Sequence, residues 1–397
     1  MAQKAQAARG MRDVVPPSGA LRRRVANQIL DVYAGYGFEL IETPALEDLS
    51  VLLGSQAGEN EKLVFKVLQR GAKLDEALAA GRELADMGMR FDLTVPLARF
   101  VANHLNDLPM PFKVAHMAPV WRAERPQKGR YREFVQCDID IVGEPGVAAE
   151  VELCLATLDA LSALGISGCT VRLNDRRLLR AMVDEAFGPV ADPAPVFIAL
   201  DKLDKVGADG VAAELAHYGP DKVSRLLELA GSASPRGGPD DVVAAMQTTI
   251  AAISAAGHSA RFDATLVRGM GYYTGQIFEI EHPSVGYSLA GGGRYDGMTA
   301  RFGAPALPMC GFSIGFERIC DLVDAASLAT GTRKVAVLCN EDELLQRMEQ
   351  ARTARTGPGL ALSLVRRARN PRKQTEDLQR LGYEVVGATE FFSDGRA

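Results

Sequence analysis

The sequence predicts an α+β fold: an antiparallel sheet flanked by helices, carrying a helical insertion and followed by a small C-terminal α/β domain. Three observations lead there. Two β-rich runs, KVAHMAPVWRAE and EFVQCDIDIVG, flank a basic loop in a hairpin pattern with a long connection. From about residue 180 to 260 the texture turns Ala/Leu/Asp-rich and helical, broken by GSASPRGGPDD. After ASLATGTR, strand-like VAVLC, LALSLV and YEVVGAT alternate with helical segments.

Taken in order, LRRRVANQILDVYAGYGF repeats Val25, Ile29 and Val32 at helical spacing and stops at Gly35 to Gly37. ELIETPALE reads as a short strand ending at Pro44, and MRFDLTVPLARFVANHL as a strand and helix. In the second arm of the hairpin, Gln136, Asp138 and Asp140 alternate with Val135, Cys137, Ile139 and Ile141, which puts the polar groups on one face. Strand signals resume after the insertion in TLVRGMGYYTGQIFEIEH and YSLAGGGRYDGM, and CGFSIGFERICDLV reads as strand into helix. These segments suggest domains at 1–325 and 333–397, with the insertion at about 180–260 inside the first.

Composition narrows the function. The chain has 397 residues, 47% hydrophobic and 24% charged, with a formal net charge of -5. That sign argues against nonspecific coating of a polyanion, so any nucleic acid or nucleotide must meet a local basic site. Arg122 to Arg132 is such a site, with Arg122, Arg125, Lys128, Arg130 and Arg132 against the single acid Glu124. No stretch approaches the roughly 20 apolar residues of a membrane span, and the N-terminus has no apolar signal core, so a cytoplasmic protein is expected. The six cysteines lack paired short spacing and suit buried reduced thiols; the five histidines lack ligand spacing, and no metal-binding residue set is predicted.

Arginine offers directed N–H donors to phosphate oxygens, and an aromatic face can stack on a base. Arg122 and Glu124 before the loop and Phe134 after it therefore form a candidate nucleotide cradle, the competing reading being a solvated surface turn. Arg268 in LVRGMGYYTG and Arg318 in GFSIGFER add two Gly-flanked arginines suited to a polyphosphate and a carboxylate. Asp92, Asp138 and Asp140 could neutralise an ammonium or fix an imidazole, because an ionised carboxylate offers only acceptors; the alternative is exposure on an edge strand.

In this order the segments resemble the class II aminoacyl-tRNA synthetases, and most specifically the histidyl-tRNA synthetase family. GMRDVVPPSG with GYGFELIETPALE resembles the N-terminal lead-in and motif 1. RFDLTVPLARF resembles the amino-acid-binding strand and helix. VWRAERPQKGRYREFVQCDIDIVG is similar to motif 2 and GFSIGFERI to motif 3, while LVRGMGYYTG and AGGGRYDG resemble the two signatures of the histidine enzymes.

The resemblance implies roles. Arg122 and Arg268 would be catalytic, Arg122 at the ATP α-phosphate and Arg268 between that phosphate and the histidine carboxylate. Glu124 and Phe134 would hold adenine, with Arg130 and Arg318 completing the ATP site. Asp92, Thr94 and Gln136 would receive the histidine ammonium, and Asp140, Tyr272, Tyr273 and Tyr295 would complete the histidine pocket. ATP as substrate, Mg²⁺, histidine tRNA and a homodimer follow as expectations. Two departures stand out: Gly271 lies where the family carries an acid, and the tail resembles a shortened anticodon-binding domain. A histidine-activating paralogue with a non-tRNA acceptor and a noncatalytic histidine-sensing subunit of histidine biosynthesis are the competing readings; retention of Arg122, Arg268 and Arg318 disfavours the second.

Overall fold

A computed structural model describes residues 5–54, 61–126, 131–190, 192–268, 271–324, 328, 332–356 and 359–393. The chain divides into two compact units, one of residues 1–12 and 28–322, the other of residues 13–27 and 323–397.

The first helix, α1 (Ser18–Gly35), buries Val25, Ile29 and Tyr33, spaced four apart. Tyr33 is fully buried and extends the stripe, while Val32, assigned to it from the sequence, is half-buried beside it. The strand read in ELIETPALE resolves into β1 (Glu39–Leu40) and β2 (Leu46–Asp48), separated at Pro44. Then come α2 (Leu49–Leu53), β3 (Phe65–Leu68), α3 (Ala72–Ala79), β4 (Ala85–Met89) and α4 (Thr94–His104). Strands β2, β4 and β3 form a small antiparallel sheet, and Leu49, Leu52, Val64, Ala85, Phe91 and Val95 make the core beside it.

The predicted hairpin is β5 (Phe112–Trp121) and β6 (Glu133–Val142), paired antiparallel from Phe112↔Val142 to Trp121↔Glu133. After α5 (Ala148–Ala163) and β7 (Thr170–Asp175), five helices intervene: α6 (Arg176–Phe187), α7 (Ala194–Leu200), α8 (Leu203–Glu214), α9 (Pro220–Ala230) and α10 (Asp240–Ala255). Asp175 starts α6 by accepting the Arg177 backbone N–H at 2.8 Å. The chain returns through β8 (Ser259–Phe262), β9 (Gln276–Glu281), β10 (Ala290–Arg294), β11 (Met309–Gly315) and α11 (Phe316–Leu322).

One sheet collects eight strands in the order β1-β5-β6-β11-β10-β9-β7-β8. Its six central strands are antiparallel, as the sequence predicts, but β1 with β5 and β7 with β8 pair in parallel at the two edges. Parallel neighbours need a long crossover, and α6 to α10 supply it between β7 and β8. Strand β6 is central, so Asp138 and Asp140 are buried, which removes the edge-strand alternative. On the far face Arg294, from the GGGRYD segment, forms a buried ion pair with Glu150 of α5 at 2.6 Å.

The second unit contains β12 (Arg333–Cys339), α12 (Glu341–Ala354), β13 (Leu360–Arg366), α13 (Pro371–Arg380), β14 (Glu384–Gly387) and α14 (Ala388–Ser393). Its sheet is parallel, ordered β13-β12-β14, over a core of Val335, Val337, Cys339, Ala351, Ala354, Leu362, Ala388 and Phe391. The basic run RRARNPRKQ enters α13, where the Asn370 side chain accepts from the Lys373 N–H at 3.2 Å. No helix among the described residues is long and apolar enough to cross a membrane.

Candidate active site

Strand periodicity lays the site out along one face of β6. Phe134, Gln136, Asp138 and Asp140 follow one another on that face at about 6.7 Å intervals, so the series spans about 20 Å from aromatic ring to last carboxylate. Neighbouring strands extend the row: Asp138 stands between His116 of β5 and Ser313 of β11, and Asp140 between Val114 and Gly311. Ser313 faces Gly291, and Gly311 faces Gly293, on β10.

Glycine is required here by space. A Cβ at Gly311 would collide with the Asp140 carboxylate, and one at Gly291 would collide with the Arg268 guanidinium. The bare floor lets Asp140, Arg268 and Tyr273 lie against the sheet, which explains the glycine-rich sequence of β10.

At the Phe134 end, Arg122 lies over the Phe134 ring at 5.0 Å and donates through Nε to the Phe91 carbonyl at 3.0 Å. Arg122 is thereby brought beside Asp92. Arg132, counted among the loop bases, is tied inward: its Nε donates to the Glu124 carbonyl at 2.9 Å and its backbone N–H to Gly10 at 2.8 Å. The Glu124 side chain is exposed. Arg130 lies outside the described residues. Arg318, in α11, donates to the Ser288 carbonyl at 2.6 Å and covers the Tyr287 ring at 5.0 Å. Its neighbour Glu317 pairs with Arg12 and accepts the Val135 N–H, which fastens the start of α11 to β6.

At the other end, Tyr295 donates its hydroxyl to Asp140 at 2.5 Å. Tyr272 packs at a tilt against Tyr273 and edge-on against Tyr295, with centroids 4.9 and 5.8 Å away, and its hydroxyl reaches Thr94 at 3.5 Å. Asp92 caps the start of α4 by accepting the Val95 N–H at 3.2 Å, while its second oxygen is buried without a partner. Arg268 donates to Glu279 at 2.5 Å.

The electrostatics of this face are unusual. Burial pushes the Asp92 carboxyl up to about 6, and burial followed by the Asp92 charge pushes Asp138 up to about 7. Asp140 is raised well above the ordinary carboxylate range by burial and then by Asp138. His116 is driven down to about 4 by burial and then by Arg90, so its ring is neutral. Three desolvated acids in one pocket form a receptor for a cation or for N–H donors. Arg122 and Arg268 add charge suited to an anion on the same face.

Sequence reasoning missed Glu279, the acid that supports Arg268. Its signal was an acid set between Phe278 and Ile280. Gly271 itself is exposed. Ser313, which hydrogen-bonds Asp138, was also missed because nothing in GFSIG separates a site serine from an ordinary strand serine.

A six-stranded antiparallel core with a glycine floor, a basic hairpin loop and an Arg-bearing strand-to-helix turn defines a class II aminoacyl-tRNA synthetase. The family model described as histidyl-tRNA synthetase matches residues 10–319. A histidine–tRNA ligase from Leifsonia xyli subsp. xyli is 44% identical over 91% of this chain and 90% of its own length. One from Aeropyrum pernix is 38% identical over 96% and 90%. The chain belongs to the histidyl-tRNA synthetase family. Among solved structures, histidyl-tRNA synthetase from Nostoc sp. PCC 7120 has the same fold with TM-score 0.76 at 24% identity, covering 98% of this chain and 93% of that one. A Bacillus halodurans C protein titled an ATP phosphoribosyltransferase regulatory subunit/histidyl-tRNA synthetase gives 0.77 at 23% identity, covering 95% and 96%.

Proposed function

We propose that this chain is a histidine–tRNA ligase, which activates histidine with ATP to histidyl-adenylate and transfers the histidyl group to the 3′ end of histidine tRNA. The observation that carries the reading is the division of the β6 face: Arg122 over Phe134 at one end, and buried Asp140 held by Tyr295 at the other. A nucleotide base suits the first end, with adenine on Phe134 beside Glu124 and with Arg130 and Arg318 at its phosphates. An imidazole N–H suits the second, with Asp140 accepting and Tyr272, Tyr273 and Tyr295 forming the wall. Asp92, Thr94 and Gln136 between them take the ammonium.

In this arrangement the histidine carboxylate attacks the α-phosphate in line and pyrophosphate leaves. Arg122 and Arg268 offset the charge that develops, and no protein nucleophile takes part. Catalysis is then positioning and preorganised electrostatics, each well-placed donor being worth about 10²–10³ in rate by analogy with oxyanion sites. A terminal ribose hydroxyl of tRNA next displaces AMP from the mixed anhydride. Among the described residues no group of three or more His, Cys, Asp or Glu side chains is placed to hold a metal ion. Mg²⁺ enters this reading as part of the Mg–ATP substrate. Assembly as a homodimer and a cytoplasmic location complete the reading.

The test is ATP–pyrophosphate exchange with histidine, repeated as charging of histidine tRNA. Both should proceed. Brisk exchange without charging would transfer the assignment to a ligase with another acceptor, and silence in both assays although histidine binds would favour a sensing subunit.

A further inference from the structure

Asp138 has no part in the reaction proposed above, yet it stands between Gln136 and Asp140 on the β6 face and is only 5% exposed. The Gln136 amide donates through Nε2 to Asp138 at 3.2 Å, and Ser313 also hydrogen-bonds this carboxylate. The Gln136 oxygen, Oε1, is buried with no hydrogen-bond partner. Once ionised, as with an ammonium bound beside it, this carboxylate can only accept, so it admits one orientation of the neighbouring amide: nitrogen toward Asp138 and oxygen away. A fixed, buried, unsatisfied carbonyl oxygen is costly unless a ligand donor meets it.

We infer that Asp138 is a positioning residue for amino-acid recognition, orienting the Gln136 amide so that Oε1 accepts a hydrogen bond from the substrate ammonium. The inference rests on the histidine-ligase reading above. Asp138 acts through Gln136 and touches neither ATP nor the reacting carboxylate. Its cost is a third acid beside Asp92 and Asp140, which the arriving ammonium offsets. If the amide were free to turn over, half of its orientations would point an NH₂ group at that ammonium.

The experiment is histidine-dependent pyrophosphate exchange on the full chain with Asp138→Asn, Gln136→Glu and the two combined. An asparagine at 138 keeps the size but can present either end, so Asp138→Asn should raise the KM for histidine about 10-fold or more and leave the KM for ATP within about twofold. In the combined variant the polarity of the pair is reversed: the new amide donates to the new carboxylate, whose other oxygen accepts the ammonium. It should recover histidine KM to within about threefold of wild type, a coupling that a merely structural role would not produce. An unchanged histidine KM in Asp138→Asn overturns the inference. So does an equal rise in ATP KM, or a combined variant no better than Asp138→Asn alone. If wild-type protein shows no histidine-dependent exchange, the ligase reading itself fails and takes this inference with it; a normal wild type with a normal Asp138→Asn defeats the inference alone.

Discussion

The eight-stranded sheet of the first unit and the parallel sheet of the second use burial in opposite ways. In the eight-stranded sheet, β6 buries Asp138 and Asp140, and β10 gives up side chains from Gly291 to Gly293 so that Arg268 and Tyr273 can rest on its backbone. In the three-stranded sheet, the central strand β12 buries Val335, Val337 and Cys339, and charge stays at the surface in pairs such as Arg333–Glu384 at 2.7 Å and Arg366–Glu341 at 3.0 Å. The first arrangement sacrifices stability for a receptor, and the second is organised for stability. Substitutions in the first should therefore change chemistry, and substitutions in the second should change melting.

The largest effect should come from Arg268→Ala. Losing a preorganised donor at the α-phosphate should lower histidine-dependent pyrophosphate exchange by about 10²-fold or more. Because the change strands Glu279, which Arg268 contacts at 2.5 Å, a modest fall in melting temperature should accompany it. Near wild-type exchange would remove Arg268 from the mechanism.

The cost of the receptor should be visible as a pH dependence. Asp138 is surrounded by Asp92, Asp140, Arg122, Gln136, Ser313 and the neutral His116, and burial holds its carboxyl at about 7 against an ordinary 3.8. Below pH 4 it is protonated in both the folded and unfolded states. Between 4 and 7 the folded state keeps a proton that the unfolded state has lost, so ligand-free stability falls as pH rises, and above 7 the whole cost is present. That cost is at most roughly 4 kcal/mol. Asp138→Asn should remove it: melting of the ligand-free variant should gain on wild type from pH 5 to about pH 7 and level off by pH 8. A constant difference across that range would show that Asp138 is not buried as an acid.

A smaller effect, of the opposite character, should follow Val337→Ala in the second unit. Truncating a fully buried strand residue should cost roughly 2 kcal/mol of that unit's stability, read by denaturant titration, while leaving pyrophosphate exchange untouched. Loss of exchange there would break the comparison. Arg333→Ala should do least: the pair is exposed on both sides, and such pairs often contribute nothing measurable.

The sequence made these two regions legible to different depths. The strands of the second unit could be read from VAVLC, LALSLV and YEVVGAT, because buried parallel strands are apolar runs; α14 was missed, and so was the share of this unit that comes from residues 13–27. The hairpin was read from the alternation around Gln136, Asp138 and Asp140, which gave the right face of β6. It could not say that the strand is central, since that depends on β11 pairing with it from a distant part of the chain. For the same reason the parallel edges were missed, along with Glu279 and Ser313, whose roles exist only once β9 and β11 stand in register. Tyr295 and Asp140, 155 positions apart, came together only through family resemblance, because no local periodicity links them.

The central claim is that the β6 face is divided, with ATP at the Phe134 end and histidine at the Asp140 end. Calorimetry of Asp140→Ala tests it most directly, with histidine and ATP titrated separately. One lost hydrogen bond to a charged group, worth roughly 1.5–3 kcal/mol, should weaken histidine about 10- to 150-fold. ATP affinity should stay at the wild-type value. Unchanged histidine affinity, or an equal loss for both ligands, would contradict the division.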